Sequence, residues 1–186
     1  LYRRESIYNS YLEARTLGKR IIIASDMYLP KTCIEAILAK NDIIYDKLYL
    51  SSDMDAKKSS GKLFDLIIKE ENCPPSRILH VGDNLKGDLQ IPKSKGIHCF
   101  HMPRATEKMV TDPTGFYSLI WNRDQGRHSL SARSVLSVMG NYLYDNAYLN
   151  IRKNTLFNAD AKNLGYLCFG YLLLGYAKWL CENGIK

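Results

Sequence analysis

The chain has 186 residues, of which 46% are hydrophobic and 24% charged, and its formal net charge at pH 7 is +7. This composition is that of a globular protein, and the length suffices for one ordinary domain with an appendage. Lysine and arginine are scattered among acidic residues with no run of five or more, so the positive charge does not indicate a nucleic-acid partner.

The cysteine usage argues against a disulfide framework and against a zinc site. The number of cysteines is odd, their spacings are wide and no C-x-x-C pair occurs. They are Cys33, Cys73, Cys99, Cys168 and Cys181. This usage favours a reducing cytoplasm. Residues 1–5 are too polar for a signal peptide, and we expect both ends to be cuts through a longer protein.

The first hundred residues alternate between helical and strand patterns. The predicted strands are short β-branched or aromatic runs, and the predicted helices end near glycine, asparagine or proline. In chain order the prediction is helix 2–17, strand 20–24, helix 31–40, strand 47–50, helix 62–71, strand 78–81, short helix 88–95 and strand 97–102. Strands that alternate with helices through short connections predict a parallel α/β sheet with helices on both faces.

The chain changes character beyond residue 102. Residues 103–129 contain two prolines and two glycines and are predicted to form an irregular connection, followed by helices at 132–149 and 160–182. The last helix has a run of about 17 apolar residues, whereas a membrane span needs about 20. Because the run also contains Lys178 and three glycines, we expect a helix buried between domains and no transmembrane span.

Two predicted strands are followed by polar residues, at the end where parallel α/β sheets bind ligands. Ser25 follows the first strand, and its hydroxyl either donates to a phosphate oxygen or caps the next element. Gly82 follows strand 78–81 and permits a sharp turn, after which the carboxylate of Asp83 can hold Mg²⁺. Asp88 lies five residues further on and either reaches the same cation or caps the following helix.

Two lysines lie at the start of predicted helix 62–71. A lysine at a helix N-terminus is electrostatically disfavoured, because that end of the helix is already positive. Beside a phosphate the same placement becomes favourable, since Lys58 or Lys62 and the helix N-terminus then converge on one anion. The alternative is a solvated basic loop.

Taken in this order, the three segments resemble motifs II, III and IV of the haloacid-dehalogenase (HAD) superfamily of hydrolases. Residues 21–29 (IIIASDMYL) resemble motif II, and residues 58–64 (KSSGKLF) resemble the motif III region. By its offset to Leu-Phe, Lys58 is the better match for the motif III lysine and Lys62 is the runner-up. Residues 78–88 (ILHVGDNLKGD) resemble motif IV closely, and the resemblance covers about residues 1–105.

The resemblance implies a domain organisation. Residues 1–105 would be a HAD-like Rossmannoid α/β core without its first strand, in which residues 1–18 end a cap or form a leading helix. Residues 106–130 would be a linker, and residues 131–186 a helical segment that leads toward a further domain.

The resemblance also implies site residues. Ser25 and Lys58 would act in catalysis, and the phosphoryl group would be held by Ser25, Asp26 and Lys58 or Lys62. Mg²⁺ would be bound by Asp83 and Asp88 in a loop that also contains Gly82 and Asn84. The substrate would be a small phosphorylated molecule.

The nucleophile of such hydrolases is missing from the sequence. In the family, an aspartate of a D-x-D-x-T motif before motif II attacks phosphorus, and the second aspartate acts as acid and base. No such motif precedes Ser25. The only D-x-D is Asp53-Met54-Asp55, which lies after motif II and is predicted to be a loop. The expected function is therefore a Mg²⁺-dependent phosphoester hydrolase module that is inactive by itself.

The sequences of motifs II and IV most resemble those of predicted bacterial HAD hydrolases that are linked to glycosyltransferases. That resemblance implies a glycosyltransferase or a second domain in the same polypeptide as a partner. The alternative function is a catalytically inactive HAD-like scaffold that binds a phosphorylated ligand or a glycosyltransferase. His80, within the strand before Gly82, is predicted to be a packed core histidine.

Overall fold

The computed structural model describes residues 3–112, 130–145 and 160–184. The chain divides into two compact units, residues 1–104 and residues 105–186. Each unit is described by itself below.

The described residues of the first unit, 3–104, form four strands and five α-helices. In chain order these are α1 (Glu5–Thr16), β1 (Ile22–Ser25), α2 (Lys31–Lys40), β2 (Lys47–Leu50), α3 (Ser51–Met54), α4 (Lys62–Glu71), β3 (Leu79–Gly82), α5 (Ile91–Ser94) and β4 (His98–His101). Short 3₁₀ turns at Lys58–Ser60 and Pro75–Arg77 precede α4 and β3, and a π-helical segment, Leu85–Gln90, leads into α5.

The strands of the first unit form two parallel pairs. β1 pairs with β2, with Ile22 opposite Lys47, and β3 pairs with β4, with Leu79 opposite His98. The mixed α/β class predicted from the sequence is thereby confirmed. In the described residues the hydrogen bonding forms two sheets of two strands each, and one sheet that joins all four strands is not shown.

Two apolar clusters cover opposite faces of the β1–β2 sheet. On one face, Tyr49 packs against Leu63, Phe64 and Ile67 of α4. On the other face, Leu48 and Leu50 pack against α2 through Ile34 and Leu38. Alternate residues of β2 point to opposite faces, which is why one four-residue strand contributes to both clusters. Helices therefore lie on both faces of this sheet, as predicted.

Helix α4 also joins the two sheets into one unit. The apolar cluster of α4 contains the buried Ile97. It also includes two partly buried residues, Ile78 directly before β3 and Cys99 within β4. The helix buries Leu63, Phe64 and Ile67 because positions i, i+1 and i+4 share one helix face. It ends at Asn72, whose φ of 46° places it in the left-handed region that asparagine tolerates.

The β3–β4 sheet has one covered face and one open face. His80 faces the core, where its ring meets the ring of Phe64 edge-on with 5.1 Å between centroids. Leu79, Val81 and Phe100 alternate with the core-facing residues, and their side chains are exposed.

Two predicted irregular segments are helical at least in part. Asp53 was predicted in a loop but lies in α3, and Asp55 follows it with a φ of 45°. One helical turn is too short for apolar periodicity to reveal it. The prediction of irregular structure at residues 103–129 is wrong for the start of that range, because Ala105–Val110 forms a helix, α6. The rest of that prediction, residues 113–129, lies outside the described residues.

In its described residues, the regular elements of the second unit are all helices. Helix α7 (Leu130–Tyr144) packs on α6, where Ala105 and Met109 meet Leu136, Met139 and Tyr144. Residues 146–149 of the predicted helix 132–149 are not described. A further helix begins at α8 (Ala161–Leu164), continues through a π-helical segment (Gly165–Phe169) and ends as α9 (Gly170–Glu182).

Helix α9 does not bury the apolar residues that its sequence contains. It has no buried residue, and Leu172, Leu174 and Trp179 are all exposed. The burial between domains that the sequence predicts is therefore not seen in the described residues, since packing partners rather than composition decide burial. None of the helices described is long and apolar enough to cross a membrane.

A polar network ties β2 to the end of α4. The Tyr49 hydroxyl donates to Glu71 Oε1 (2.8 Å), and Arg20 Nε donates to Glu71 Oε2 (2.5 Å). Burial and the bond to Glu71 raise the pKa of Tyr49 to about 12, and the Arg20 guanidinium lowers the pKa of Glu71. Tyr49 therefore stays neutral in the folded state at a pH at which an ordinary tyrosine ionises.

We expect alkaline pH to destabilise the first unit through Tyr49. The pKa of Tyr49 is raised from 10.0 to about 12 in the folded state. The stabilisation from this shift is complete below the pKa of the unfolded state, and it is lost as the pH rises through the pKa of the folded state. Titration of tyrosinate absorbance should show that Tyr49→Phe removes a late-ionising group. Loss of an early-ionising group in this variant would contradict the expectation.

Candidate functional site

The residues predicted to carry chemistry lie around the carboxyl ends of β1 and β3. Ser25 is the last residue of β1, and Gly82 is the last residue of β3. Between them in the chain, the 3₁₀ turn that begins at Lys58 precedes α4. Contacts from this turn reach the segments after both strands.

Lys58 is held at both ends by carboxylates. Its backbone N–H donates to both oxygens of Asp26, at 3.0 and 3.2 Å. Its ammonium Nζ lies 2.6 Å from Asp88 Oδ1, with the side chains of Lys58 and Asp88 only 15% and 2% exposed. Lys62, the first residue of α4, is exposed. The structure thus places Lys58, rather than Lys62, in the cluster.

Asp88 is the centre of the cluster. Its Oδ1 accepts hydrogen bonds from Lys58 Nζ and from His80 Nε2 (2.9 Å), and its Oδ2 accepts one from the backbone N–H of Asn84 (3.0 Å). Burial by itself would raise the pKa of Asp88, but the bonds from His80, Lys58 and Asn84 outweigh burial and hold the pKa well below its ordinary value. The carboxylate is therefore ionised.

Gly82 and Asn84 shape the loop that carries Asp88. A Cβ added to Gly82 would lie 2.4 Å from Asp88 Cγ, so only glycine leaves room for this carboxylate against β3. Asn84 Oδ1 accepts the backbone N–H groups of Lys86 (3.1 Å) and Gly87 (2.7 Å). Asn84 thus caps the π-helical segment, and its own backbone N–H donates to Asp88 Oδ2.

Ser25 and Asp26 have different roles in the geometry. Ser25 Oγ accepts the backbone N–H of Met27 (3.1 Å), and the hydroxyl still carries a proton that it can donate to an anion. Asp26 is predicted to help hold phosphate, but a carboxylate repels that anion. Its bonds to the Lys58 backbone instead make it the anchor of the Lys58 turn.

Asp83 offers the accessible carboxylate of the loop. Its side chain is 42% exposed and pairs with the Arg104 guanidinium, and its backbone carbonyl lies 3.0 Å from His101 Nε2. Mg²⁺ is commonly bound by one or two carboxylates, with water and phosphate oxygens completing six ligands. Asp83 fits that pattern as a single ligand.

Asp88 does not fit as a direct Mg²⁺ ligand in this arrangement. Three protein donors already engage its two oxygens, and it is nearly fully buried. Among the residues that the structure describes, no group of three histidine, cysteine, aspartate or glutamate side chains could hold a metal ion. Asp83 and Asp88 therefore differ in chemistry, although the resemblance implied that both bind Mg²⁺.

Sequence reasoning missed the contacts of His80 and Arg104. His80 was assigned to core packing, yet its ring nitrogen contacts Asp88. Strand periodicity could have indicated this, since His80 and Gly82 are two residues apart and share one face of β3. Arg104 lies 21 residues from Asp83, and no local pattern relates the two.

No protein-family model matches the chain, and none of the curated proteins compared with it matches either.

Proposed function

We propose that the chain is the phosphate-binding module of a HAD-type, Mg²⁺-dependent phosphoester hydrolase acting on a small phosphorylated substrate. The observation that supports this most is the double anchoring of Lys58 by Asp26 and Asp88. A lysine held at both ends beside a strand terminus is a fixed positive charge, which an enzyme needs in order to stabilise a phosphoryl group without reorganisation.

The arrangement of Ser25 and Lys58 is compatible with a bound phosphoryl group. Ser25 ends β1 and can donate a hydroxyl proton, and Lys58 supplies three N–H donors, of which Asp88 engages one. Together they offer a neutral donor and a charged donor to one anion, and a hydrogen bond from a charged donor is roughly twice as strong as one from a neutral donor.

We further propose that the two strand pairs belong to one HAD-like Rossmannoid sheet. Support comes from α4, whose apolar face contacts residues of both pairs. Further support is the bridge that Lys58 makes between the segment after β1 and the segment after β3. Both pairs are parallel, as such a sheet requires.

In the proposed site, Asp83 is the residue that binds Mg²⁺. When bound, the cation would neutralise charge on the phosphoryl oxygens. Asp83 would hold it at its exposed carboxylate, which the Arg104 guanidinium otherwise neutralises. Asp88 would act indirectly, by fixing Lys58 and the loop that presents Asp83.

The sequence contains no D-x-D-x-T motif, so the proposed module needs a nucleophilic aspartate from outside these residues to turn over substrate. The alternative is a catalytically inactive HAD-like scaffold that binds a phosphorylated ligand or a glycosyltransferase. The exposed apolar residues of α9 favour a protein partner or second domain in that reading. A cytoplasmic location fits both functions.

Inorganic phosphate should bind the 186-residue chain through Lys58. We expect Lys58→Met to weaken binding at least about tenfold, because one charge-assisted hydrogen bond contributes about 1.5–3 kcal/mol. Lys57→Met is the matched control, since Lys57 is the exposed neighbour in the same turn. Isothermal titration with and without Mg²⁺ measures the affinities, and Lys58→Arg tests whether a retained charge retains binding.

Equal losses in the Lys57 and Lys58 variants would contradict the proposed site, and so would wild-type protein that fails to bind phosphate. Turnover distinguishes the two functions. Release of nitrophenol from p-nitrophenyl phosphate by the intact protein supports the hydrolase, whereas tight phosphate binding without turnover supports the scaffold.

A further inference from the structure

We infer that His80 is a positioning residue that fixes the Lys58 ammonium through the Asp88 carboxylate. The inference rests on the proposed phosphate site and adds a residue to it. His80 would not touch the bound phosphate. It would set the direction in which Lys58 presents its charge.

The first support is the sharing of one acceptor atom. His80 Nε2 and Lys58 Nζ both bond to Oδ1 of Asp88, at 2.9 and 2.6 Å. The other oxygen, Oδ2, bonds to the backbone N–H of Asn84. With both oxygens engaged, the plane of the carboxylate cannot rotate without breaking a bond, so the position of Oδ1 is determined by His80 and Asn84 together.

The second support is the restraint on the imidazole itself. Phe64 meets the ring edge-on at an interplanar angle of 81°, and only 14% of the His80 side chain is exposed. The ionised carboxylate of Asp88 can only accept hydrogen bonds, so Nε2 carries the proton. A ring held by a buried aromatic side chain and by strand β3 is a rigid donor.

The third support is the cost of an unrestrained lysine. The Lys58 side chain has four rotatable bonds, and ordering such a side chain costs up to about 2 kcal/mol of conformational entropy. A carboxylate fixed in advance by His80 orders the ammonium before a ligand arrives. Preorganised charge of this kind strengthens binding of an anion more than a mobile charge does.

The test compares two variants of His80. His80→Phe keeps an aromatic ring and removes the donor, and we expect phosphate affinity to fall about tenfold. His80→Gln keeps an N–H that can reach Asp88, and we expect affinity within about threefold of wild type. His98→Phe is the control, because His98 is an exposed residue of the neighbouring strand β4.

A double variant separates positioning from general destabilisation. If His80 acts through Lys58, phosphate binding by His80→Phe with Lys58→Met should equal that of Lys58→Met alone. Long-range ¹H–¹⁵N spectra of the wild-type chain should independently show the proton on His80 Nε2, and Asp88→Asn should shift that nitrogen resonance.

Each outcome decides the inference. Wild-type binding that is lost in the phenylalanine variant and regained in the glutamine variant supports it. Unchanged affinity in His80→Phe, additive losses in the double variant, or a proton on Nδ1 would overturn it while leaving the phosphate site standing. Absence of phosphate binding by the wild-type chain would overturn both the phosphate site and the role of His80.

Discussion

Replacing Asp88 with alanine is expected to lower the free energy of unfolding of the first unit by about 3–5 kcal/mol, the usual loss when one member of a buried ion pair is removed. The variant leaves the Lys58 ammonium without its counter-charge at a position that is 15% exposed. It also leaves the His80 ring N–H and the Asn84 backbone N–H without their acceptor. A buried donor that loses its partner cannot recover the bond from water.

Asp65→Ala is the matched control for Asp88. Asp65 pairs with Lys95 at 2.6 Å, the same distance as the Asp88–Lys58 pair, but its side chain is 63% exposed. An exposed pair contributes only about 0–1 kcal/mol, so this variant should unfold nearly like wild type. Equal losses in the two variants would show that burial is not what makes the Asp88 pair strong.

The measurement has to report on the first unit. Both tryptophans, Trp121 and Trp179, belong to the second unit, so residues 1–104 contain no tryptophan whose fluorescence could report on this unit directly. Urea denaturation that is monitored by hydrogen exchange of peptides containing β2 and β3 assigns the unfolding transition to the first unit. Far-UV circular dichroism gives the total loss of structure for comparison.

Phe64→Ala is expected to destabilise the same unit by about 3–5 kcal/mol. Phe64 is 1% exposed and packs within the cluster formed by α4, β2 and residues of the second sheet. Truncation to alanine removes the apolar contacts of the ring and leaves a cavity in that cluster. The ring of His80 would also lose the aromatic edge against which it packs.

Two controls accompany Phe64→Ala. Phe64→Leu retains most of the buried volume and should cost less than half as much. Phe100→Ala removes the same chemical group from a side chain that is 50% exposed on β4, and it should change the unfolding free energy little. A larger loss from Phe100→Ala than from Phe64→Ala would contradict the assignment of the core to the α4 side of the sheets.

Local sequence patterns were sufficient for the elements whose signals lie within their own residues. The bounds predicted for helices 31–40 and 62–71 and for strand 47–50 are those observed. For helix 62–71 the apolar periodicity also coincides with a stop signal at Asn72. Patterns failed where the signal was short or absent, as in α3 and α6.

The candidate site divides in the same way. The sequence could identify Ser25, Lys58, Gly82, Asp83 and Asp88 as candidates, because residue type and position after a strand are local properties. It could not show that Asp88 Oδ1 would be occupied by hydrogen bonds from Lys58 and His80, which lie 30 and 8 residues away. Residue type alone also could not distinguish Lys58 from Lys62, since both lie at the start of the same helix, and the preference for Lys58 came from the resemblance.

The sequence alone thus determined the α/β class, the order of most helices and strands, and the residues around which a phosphate-binding hypothesis could be built. Those properties follow from backbone and side-chain preferences that act over a few residues. Only the tertiary structure decided that the strands pair two by two, that α4 packs on both pairs, and that α9 leaves its apolar residues exposed. It also decided that Asp88 is a buried hub and Asp83 an exposed carboxylate, because burial and hydrogen-bond partners depend on which distant segments meet.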